Sequence, residues 1–599
     1  METIDQTLAV ATEHHKAGRT AEAERLYREV LDRSPGHPDA LHLLGVLSLQ
    51  AGRPAEAADL IARAVAADAE SPVFHSNLGH ALHALGRPRD AAESFARALV
   101  LVCNSGDNPG NSINSLSALI QRYDPDSRRA AADIVSRDYA LGDVMRRLSL
   151  PFYLTGDIRY YRELVRAILA EPARFTVPSL HYAYWGISMQ VFVGAARSGP
   201  LAEFVADELA RLYDLLVDET ALRYATAARM RPAGPRPQVR RVALITNQML
   251  GAGHQPTLDA FDYARRLQDE CGVEVLIVNA NTMAATPENG FIPAFSYNVT
   301  EAYSGVQMIE AYGARVRMAS FPHLRFDEEK VHAIIDHVEG FDPDAIVAFG
   351  GSNIIADLFA DTRAVVLLPT SSGVPNSHAD LVLGYDAADR PDGWPAELAA
   401  RFRPHAFGWT PPPEDAVLSR GELGLPDTGA LFVVVGNRLD AEVDDAFLAL
   451  VDGLLDRLPD AVVAFAGEVT TLPGRLAGLR NAGRARSLGH VEAIRALYRI
   501  ATALLNPRRQ GGGGSAAFAL AEGLPVVTPA AGDVARVAGP DFTVADDAAL
   551  LDRARALATD PALHAAQAAA ARDRFAAVGD RRRSAEQLLA YCREAAAAG

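Results

Sequence analysis

Hydrophobic and polar positions along the chain follow two different periods. Up to about residue 230, apolar side chains recur at helical spacing, as they do from Leu141 to Leu154. From Arg240 onward, short apolar runs of strand length alternate with helical segments, beginning with RRVALITNQ (240–248) and VEVLIVNAN (273–281). The pattern therefore predicts a helical N-terminal part followed by α/β structure with parallel strands.

The first hundred residues repeat with a period of 34. Gly18, Gly52 and Gly86 recur at this spacing, and an arginine follows each of them. Each unit is predicted to be a helix, a glycine-containing turn and a second helix. Over about residues 4–103 the pattern resembles the tetratricopeptide repeat, which implies stacked helix pairs and a concave groove that binds a peptide or protein. A helical cap or a dimer interface without a ligand is the alternative.

Stretches rich in turn residues and proline divide the chain. They are NSGDNPGNSINS (104–115), RPAGPRPQ (231–238) and FGWTPPPED (407–415). The expected parts are repeats in 1–103, a helical connector in 104–237, and two doubly wound Rossmann-like domains in 238–408 and 409–599, the last with C-terminal helices that pack back across the domains. Ligands of such sheets bind beyond the carboxyl ends of the strands, so the site is expected between the two domains.

Charge and composition narrow the function classes. The 599 residues include 58 Lys and Arg against 75 Asp and Glu, and the net charge of −17 argues against general binding to nucleic acid or anionic membranes. We find no signal peptide, no apolar stretch of about 18 residues, and no metal-ligand spacing among the three cysteines. These features predict a cytoplasmic protein without membrane insertion, structural zinc or disulfides.

The clearest chemical motif is ALLNPRRQGGGGSAAFALAEGLPVVTP (503–529). A strand is predicted to end at Asn506, a loop with two arginines and four glycines follows, and we expect the next helix to open at Ser515. Glycines let a backbone approach an oxyanion, and a helix N-terminus offers free N–H groups, so the loop is predicted to hold a diphosphate. The predicted contacts are Arg508, Arg509, Gly511, Gly512, Gly513, Gly514 and Ser515.

Other interpretations of this loop are weaker. Two of its glycines fit a dinucleotide fingerprint, but the next strand ends at Thr528 and Pro529 without an acidic residue for a ribose hydroxyl. A P-loop needs a lysine after the last glycine, whereas Lys16 and Lys330 are the chain's only lysines. A glycine loop without a ligand, in which Ser515 caps the helix, is the remaining alternative.

Residues 238–580 resemble GT-B glycosyltransferases. The resemblance rests on two α/β domains, a strand that ends in Gly-Asn-Arg (436–438), the LGHV segment (488–491) and a helix that ends GLPVV (523–527). It implies a nucleotide-sugar donor on the second domain. The implied donor contacts are Arg438 and the glycine loop for the diphosphate, and Glu468, His490 and Val491 for the base.

The chain departs from the retaining GT-B signature at specific positions. That signature has two glutamates eight positions apart, and Gln510 and Phe518 stand there. The family's phosphate-binding lysine has no counterpart near Arg438. Arginine and backbone N–H groups are therefore expected to hold the donor.

On the first domain, the equivalent loop is TNQMLGAGHQPT (246–257). Gly251 and Gly253 permit close approach of a sugar, and His254 is the candidate general base for an acceptor hydroxyl. A turn histidine without chemistry is the alternative. Arginines and a helix N-terminus stabilise a leaving diphosphate, so no essential metal and no cofactor are predicted.

Repeats joined to GT-B domains resemble bacterial protein glycosyltransferases of the flagellin-modifying type. The resemblance implies O-glycosylation of a protein acceptor, flagellin included, that the repeats recruit, with a nucleotide-sugar as the donor. Two alternatives stay open. One is transfer to a polysaccharide or lipid-linked glycan with the repeats serving assembly, and the other is a non-catalytic scaffold with a degenerate transferase domain.

Overall fold

The computed structural model describes residues 3–105, 110–138, 144–194, 204–232, 234–236, 238–251, 254–283, 300–323, 325–370, 375–385, 396–411 and 416–598. These residues belong to two compact units. The helices up to residue 187 lie in the first unit, and both β-sheets lie in the second. Within the described ranges, no helix has the length and apolar character needed to cross a membrane.

Antiparallel helix pairs follow the 34-residue period at the N-terminus. Their helices are α1 (Ile4–Lys16), α2 (Thr20–Arg33), α3 (Pro38–Gln50), α4 (Pro54–Ala67), α5 (Pro72–Ala84) and α6 (Pro88–Asn104). The turn glycines Gly18, Gly52 and Gly86 have φ of 72°, 72° and 69°, the region that favours glycine. Gly79 lets α5 and α6 approach closely, because a Cβ there would lie 2.7 Å from the Phe95 ring.

Further helices follow the repeats. They are α7 (Gly110–Gln121), α8 (Pro125–Asp138), α9 (Val144–Thr155), α10 (Arg159–Ala170) and α11 (Val177–Gly194). The core of the last repeat continues into them, since Leu99 of α6 shares one buried cluster with Ile120 of α7, Val135 of α8 and Leu150 of α9. The repeats and helices α7 to α9 therefore have a common hydrophobic core.

In the described part of the chain, the first sheet has eight strands. They are β1 (Arg241–Thr246), β2 (Glu274–Asn279), β3 (Gly305–Ala311), β4 (Ala314–Ser320), β5 (Ala345–Phe349), β6 (Ala364–Leu368), β7 (Leu381–Gly384) and β8 (Phe402–Pro404). Their spatial order is β3-β4-β2-β1-β5-β6-β7-β8, and only β3 with β4 pairs antiparallel. Leu244 of β1 lies opposite Ile277 of β2 and Val347 of β5.

Helices accompany this sheet. Those described are α12 (Ala210–Arg223), α13 (Gln255–Asp269), α14 (Glu328–Phe341), α15 (Ile354–Asp357) and α16 (Ala396–Arg401). Every residue of β5 is buried, and β1 and β2 are buried beyond their first residues. Burial of whole strands rather than of alternate residues is typical of a parallel sheet with both faces covered.

The second sheet is parallel throughout its described strands. They are β9 (Leu431–Val435), β10 (Val462–Ala466), β11 (Ala485–Gly489), β12 (Ala503–Leu505), β13 (Val526–Pro529) and β14 (Thr543–Val544), in the spatial order β11-β10-β9-β12-β13-β14. Its helices are α17 (Leu439–Glu442), α18 (Asp445–Arg457), α19 (Leu472–Ala477), α20 (Ile494–Ile500), α21 (Gly513–Ala521), α22 (Gly532–Ala538), α23 (Asp547–Thr559) and α24 (Pro561–Val578).

The C-terminal helix α25 (Arg581–Ala598) returns to the first sheet. Ala585 and Leu588 of this helix belong to the buried core of that sheet. The connector between the sheets crosses the start of α25 closely, since a Cβ on Gly408 would lie 2.4 Å from the Arg581 Cα. Helical repeats followed by two doubly wound α/β sheets are the predicted fold class, and it is confirmed.

Candidate functional site

The glycine loop of the second sheet lies between β12 and α21. Gly512 has a φ of 101°, and α21 begins right after it at Gly513, two residues before the expected start at Ser515. The N–H groups of Gly513, Gly514 and Ser515 therefore lie in the first helical turn, where a helix supplies no acceptors of its own. The loop thus presents a helix N-terminus with partial positive charge, as the predicted diphosphate site requires.

The two arginines of this loop have different environments. Arg508 is exposed, and it makes no hydrogen bond or ion pair with the described residues. Arg509 is 4 % exposed, and its guanidinium donates hydrogen bonds to Asn506 Oδ1 (2.7 Å), Glu442 Oε2 (3.0 Å) and the Val435 carbonyl (2.8 Å). The expected direct contact of Arg509 with phosphate is therefore corrected: these acceptors hold its guanidinium inside the protein. A contact of Arg508 with phosphate stays a prediction.

Arg438 follows β9 and caps α17. Its side chain is 42 % exposed, and its Nε and Nη2 lie 3.0 Å and 2.9 Å from Glu442 Oε1. Glu442 therefore lies between two guanidinium groups, with Arg438 on one oxygen and Arg509 on the other. Burial raises the pKa of Glu442, but the charges of Arg509 and Arg438 outweigh burial and hold that pKa below its usual value. Glu442 is consequently anionic at neutral pH.

The residues predicted to hold the base follow adjacent strands. Glu468 comes after β10, and His490 and Val491 come after β11, at the edge of the sheet where Arg438 follows β9. Glu468 and His490 are exposed, whereas Val491 packs against the core. The structure thus brings Arg438 and these three residues to one sheet edge. Their contacts with a nucleotide base stay a prediction.

Gln510 and Phe518 occupy the positions of the glutamates of retaining GT-B enzymes. Phe518 is 8 % exposed and belongs to the core of the second sheet. The carbonyl of Gln510 accepts a hydrogen bond from the Asp533 N–H (2.8 Å), which joins the glycine loop to α22. Neither side chain carries a charge, so acid–base chemistry needs a group elsewhere in the cleft.

His254, the candidate base, directly precedes α13. Its Nδ1 lies 2.8 Å from Thr257 Oγ1, and Thr257 also accepts the Leu250 N–H (2.9 Å). Burial lowers the pKa of His254 to about 4, which keeps the imidazole neutral at pH 7. Gly251 is exposed, and its carbonyl accepts the His254 N–H (3.0 Å). Gly253 lies outside the described residues.

The N-termini of α13 and α21 meet across the cleft between the sheets. A Cβ on Gly514 would lie 3.5 Å from Gln255 Cγ and 3.5 Å from Trp409 Cζ3. His254 and the glycine loop, predicted on separate domains, are therefore neighbours. Gln255 and Trp409 are not among the predicted site residues, although Gln255 follows His254 and Trp409 lies in the FGWTPPPED segment (407–415).

A buried polar network supports the start of α13. None of its residues was predicted from the sequence. Gln255 Nε2 donates to Asp259 Oδ1 (2.9 Å), and Asp259 forms an ion pair with Arg581 of α25. The Arg581 guanidinium also lies 4.7 Å from the centroid of the Tyr263 ring. A small cavity adjoins these residues and reaches Trp409. The C-terminal helix thereby fixes the wall of the cleft that carries His254.

Metal ligands do not gather in the described ranges. No group of three or more His, Cys, Asp or Glu side chains there has a geometry suited to a metal ion. Glu442, the carboxylate that binds Arg509 of the glycine loop, already has two arginine partners. The predicted diphosphate site combines helix N–H groups with arginines, which suit an anion, while the buried Asp533 side chain lies beside Gly513.

Comparisons with known protein families identify the repeats at the N-terminus. Residues 14–76 and 75–109 match family models described as tetratricopeptide repeat, which confirms the repeats. No curated protein matches the chain.

Three solved structures illustrate the similarity. A mutant O-GlcNAc transferase from Thermobaculum terrenum is 19 % identical, with a TM-score of 0.46, over 100 % of this chain and 99 % of that one. A glycosyltransferase from Rickettsia africae is 12 % identical, with a TM-score of 0.41, over 59 % of this chain and 98 % of that one. The type III secretion translocator chaperone SycD from Yersinia enterocolitica is 16 % identical, with a TM-score of 0.19, over 20 % of this chain and 80 % of that one.

Proposed function

We propose that this chain is a GT-B glycosyltransferase that moves a sugar from a nucleotide-sugar to a hydroxyl of a protein acceptor in the cytoplasm. One observation carries the proposal: Gln255, next to the neutral His254, packs against Gly514 at the N-terminus of α21. A candidate base and a candidate anion site thus face the same cleft.

The donor diphosphate is proposed to lie on the N–H groups of Gly513, Gly514 and Ser515, with Arg438 and Arg508 beside it. Negative charge grows on the diphosphate as the bond between the anomeric carbon and the phosphate oxygen breaks. Oriented N–H groups and guanidinium ions stabilise that charge without reorganising. These cationic groups would repel a divalent cation, so we propose that no metal and no cofactor is needed.

His254 is proposed to take the proton of the acceptor hydroxyl as its oxygen bonds to the anomeric carbon. In the tautomer that donates from Nδ1 to Thr257 Oγ1, the lone pair of Nε2 is available for that proton. The products are the glycosylated acceptor, the nucleoside diphosphate and a proton on His254 that passes to solvent. Burial keeps the imidazole unprotonated at pH 7, so Nε2 can accept the proton.

The repeats are proposed to recruit the acceptor, since stacked repeats of this kind provide an extended surface for a polypeptide. Flagellin is the first acceptor to test. Transfer to a polysaccharide or lipid-linked glycan, and a scaffold without activity, are the outcomes that the experiment must separate from this proposal. The observation that most favours a scaffold is that uncharged side chains, Gln510 and Phe518, stand where the retaining GT-B signature has two glutamates.

The test combines the full chain with a panel of nucleotide-sugars and, in separate reactions, purified flagellin or a glycan as the acceptor, read by intact mass. We expect one sugar mass to appear on flagellin, and His254→Ala to lower the rate by about 10²- to 10⁴-fold, the usual contribution of a general base. His337→Ala, at an exposed histidine on α14, is the matched control and should keep full activity. Transfer to glycans but not to proteins would contradict the acceptor proposal, and no transfer to either would favour the scaffold.

A further inference from the structure

The carboxyl ends of β9, β10 and β11 meet at three glycines: Gly436 after β9, Gly467 after β10 and Gly489 at the end of β11. The Gly436 N–H donates to the Ala466 carbonyl (3.0 Å), and the Gly467 N–H donates to the Gly489 carbonyl (2.8 Å). Gly467 has a φ of 154°, and a Cβ on it would lie 1.8 Å from the Gly436 carbonyl oxygen. The loops after β9 and β10 are therefore in direct backbone contact.

Asp440 connects the same two loops through its side chain. It lies on α17, which follows β9, and its carboxylate accepts hydrogen bonds from three consecutive backbone N–H groups after β10. Asp440 Oδ2 accepts the Thr470 N–H (2.7 Å). Its Oδ1 accepts the N–H groups of Thr471 (3.0 Å) and Leu472 (2.7 Å). One carboxylate thus holds the loop after β10 against the loop after β9.

These hydrogen bonds depend on the ionised form of Asp440. Burial raises its pKa, but the hydrogen bonds from residues 470–472 outweigh burial and hold the pKa of Asp440 below its usual value. The side chain is therefore a carboxylate at neutral pH, and both of its oxygens accept. An asparagine would keep only one acceptor oxygen and would turn an NH₂ group toward a backbone N–H, so it could not make all three hydrogen bonds.

The two joined loops carry different parts of the predicted donor site. Arg438, on the loop after β9, is a predicted contact of the diphosphate, and Glu468, on the loop after β10, is a predicted contact of the base. Glu468 lies two residues before Thr470, so the hydrogen bonds to Asp440 fix the backbone close to it. The position of the base contact relative to the diphosphate contact therefore depends on Asp440.

We infer that Asp440 is a positioning residue for the nucleoside of the donor: its carboxylate holds the loop that carries Glu468 in place. The inference rests on the proposed function, because it assigns that loop to the donor base. Asp440 itself does not touch the donor, and an anion that lacks a nucleoside binds independently of it.

Asp452 offers a matched control at the opposite edge of the same sheet. Its carboxylate lies on α18 and accepts the backbone N–H groups of Arg480 (3.1 Å) and Asn481 (3.0 Å). These two residues precede the amino end of β11, whereas Thr470 follows the carboxyl end of the parallel strand β10. The two carboxylates therefore make the same kind of contact at opposite ends of the strands, and only Asp440 lies at the end with the predicted donor site.

Calorimetric titration of the full chain with the diphosphates of uridine, guanosine, adenosine and thymidine and with inorganic pyrophosphate tests this inference. The wild type should bind one of the nucleotides more tightly than pyrophosphate. Asp440→Asn should raise the Kd for that nucleotide at least ~10-fold, as expected for loss of a hydrogen bond to a charged group, and leave the Kd for pyrophosphate unchanged. Asp452→Asn should leave both values unchanged.

A purely structural role predicts a different pattern, because a damaged fold weakens every ligand. Asp440→Asn binding the nucleotide like the wild type would overturn the inference, and so would an equal loss for nucleotide and pyrophosphate. An equal loss of nucleotide affinity in Asp452→Asn would overturn it too. So would a wild type that binds pyrophosphate as tightly as the nucleotides.

A measurement on the wild type decides if Asp440→Asn does not fold, as judged from its melting curve. Hydrogen–deuterium exchange is followed in residues 467–472 with saturating nucleotide and with saturating pyrophosphate. The nucleotide should slow exchange in this loop and pyrophosphate should not. Equal exchange with both ligands would overturn the inference.

Failure of the proposed function has its own signature. A wild-type chain that binds a nucleotide, follows this order of variants and transfers no sugar refutes the transferase and leaves the inference about Asp440 standing. A wild-type chain that binds none of the nucleotides overturns both.

Discussion

Gln255 packs against Gly514, although the helices that carry them flank different sheets. A Cβ on Gly514 would lie 3.5 Å from Gln255 Oε1. The contact joins the N-terminus of α13 to that of α21. Gln255 is itself held by Asp259, and Asp259 by Arg581. The two halves of the proposed active site are therefore aligned by a glycine on one side and a buried polar network on the other.

This contact predicts that side-chain size at Gly514 controls activity. A methyl group fits, since the nearest atoms would lie at an ordinary contact distance, so Gly514→Ala should fold and bind nucleotide like the wild type. Gly514→Leu should push into the space between the helix N-termini and lower kcat/KM by ~10-fold or more, because misplacing reacting groups by about 1 Å costs that much or more. Equal kcat/KM for both variants would show that the contact has no part in catalysis.

The Thr257 hydroxyl should set the orientation and tautomer of His254. Thr257→Val removes the acceptor of the Leu250 N–H and the partner of His254 Nδ1, and we expect kcat to fall by ~10- to 10²-fold while the donor KM stays unchanged. Thr257→Ser keeps the hydroxyl and should restore most of kcat. Initial rates at several pH values test this, and a serine variant as slow as the valine variant would contradict it.

The architecture could be predicted from the sequence because its signals are local. The 34-residue period and the apolar strand runs depend on neighbouring residues, and both the repeats and the two sheets are found as expected. The roles of Arg508 and Arg509 could not be separated in this way. They are adjacent in sequence, but only Arg509 meets Glu442, 67 positions away, and that partner decides which guanidinium is buried.

The start of α21 and the contact between Gln255 and Gly514 could not be predicted from the sequence either. A serine after four glycines indicates a helix cap, but Gly512 adopts a positive φ and the helix begins at Gly513. The proximity of Gln255 and Gly514 depends on how two sheets and the C-terminal helix pack together. No sequence pattern in either loop indicates it.

The buried imidazole of His254 predicts a pH-dependent stability. Its pKa falls from about 6.5 in an unfolded chain to about 4 in the folded one, because burial disfavours the charged form. Between these values the unfolded chain gains a proton that the folded chain does not, so stability decreases as the pH falls. Between pH 7 and pH 4.5 this single group should account for about 2 kcal/mol of the loss.

Urea denaturation of the wild type and His254→Gln at the two pH values measures this contribution. Other groups titrate in both proteins, so the difference between the two losses isolates His254. The wild type should lose more stability than the variant as the pH falls. Equal losses would mean that the His254 pKa is not depressed.

Because α5 and α6 are in close contact at Gly79, a single methyl group added there should lower the stability of the repeats. A Cβ on Gly79 would lie 2.7 to 2.9 Å from three atoms of the Phe95 ring, and that ring is fully buried. Gly79→Ala should therefore destabilise the repeats by about 1–3 kcal/mol, the usual cost of overpacking, even though alanine favours a helix more than glycine does. Gly36→Ala is the matched control, because no atom lies within 4 Å of a Cβ there, and its effect should stay within ~0.5 kcal/mol. Helical circular dichroism followed during urea unfolding of the full chain measures both variants. If the Gly79→Ala chain is as stable as the Gly36→Ala chain, α5 and α6 pack less closely than the contact between Gly79 and Phe95 indicates.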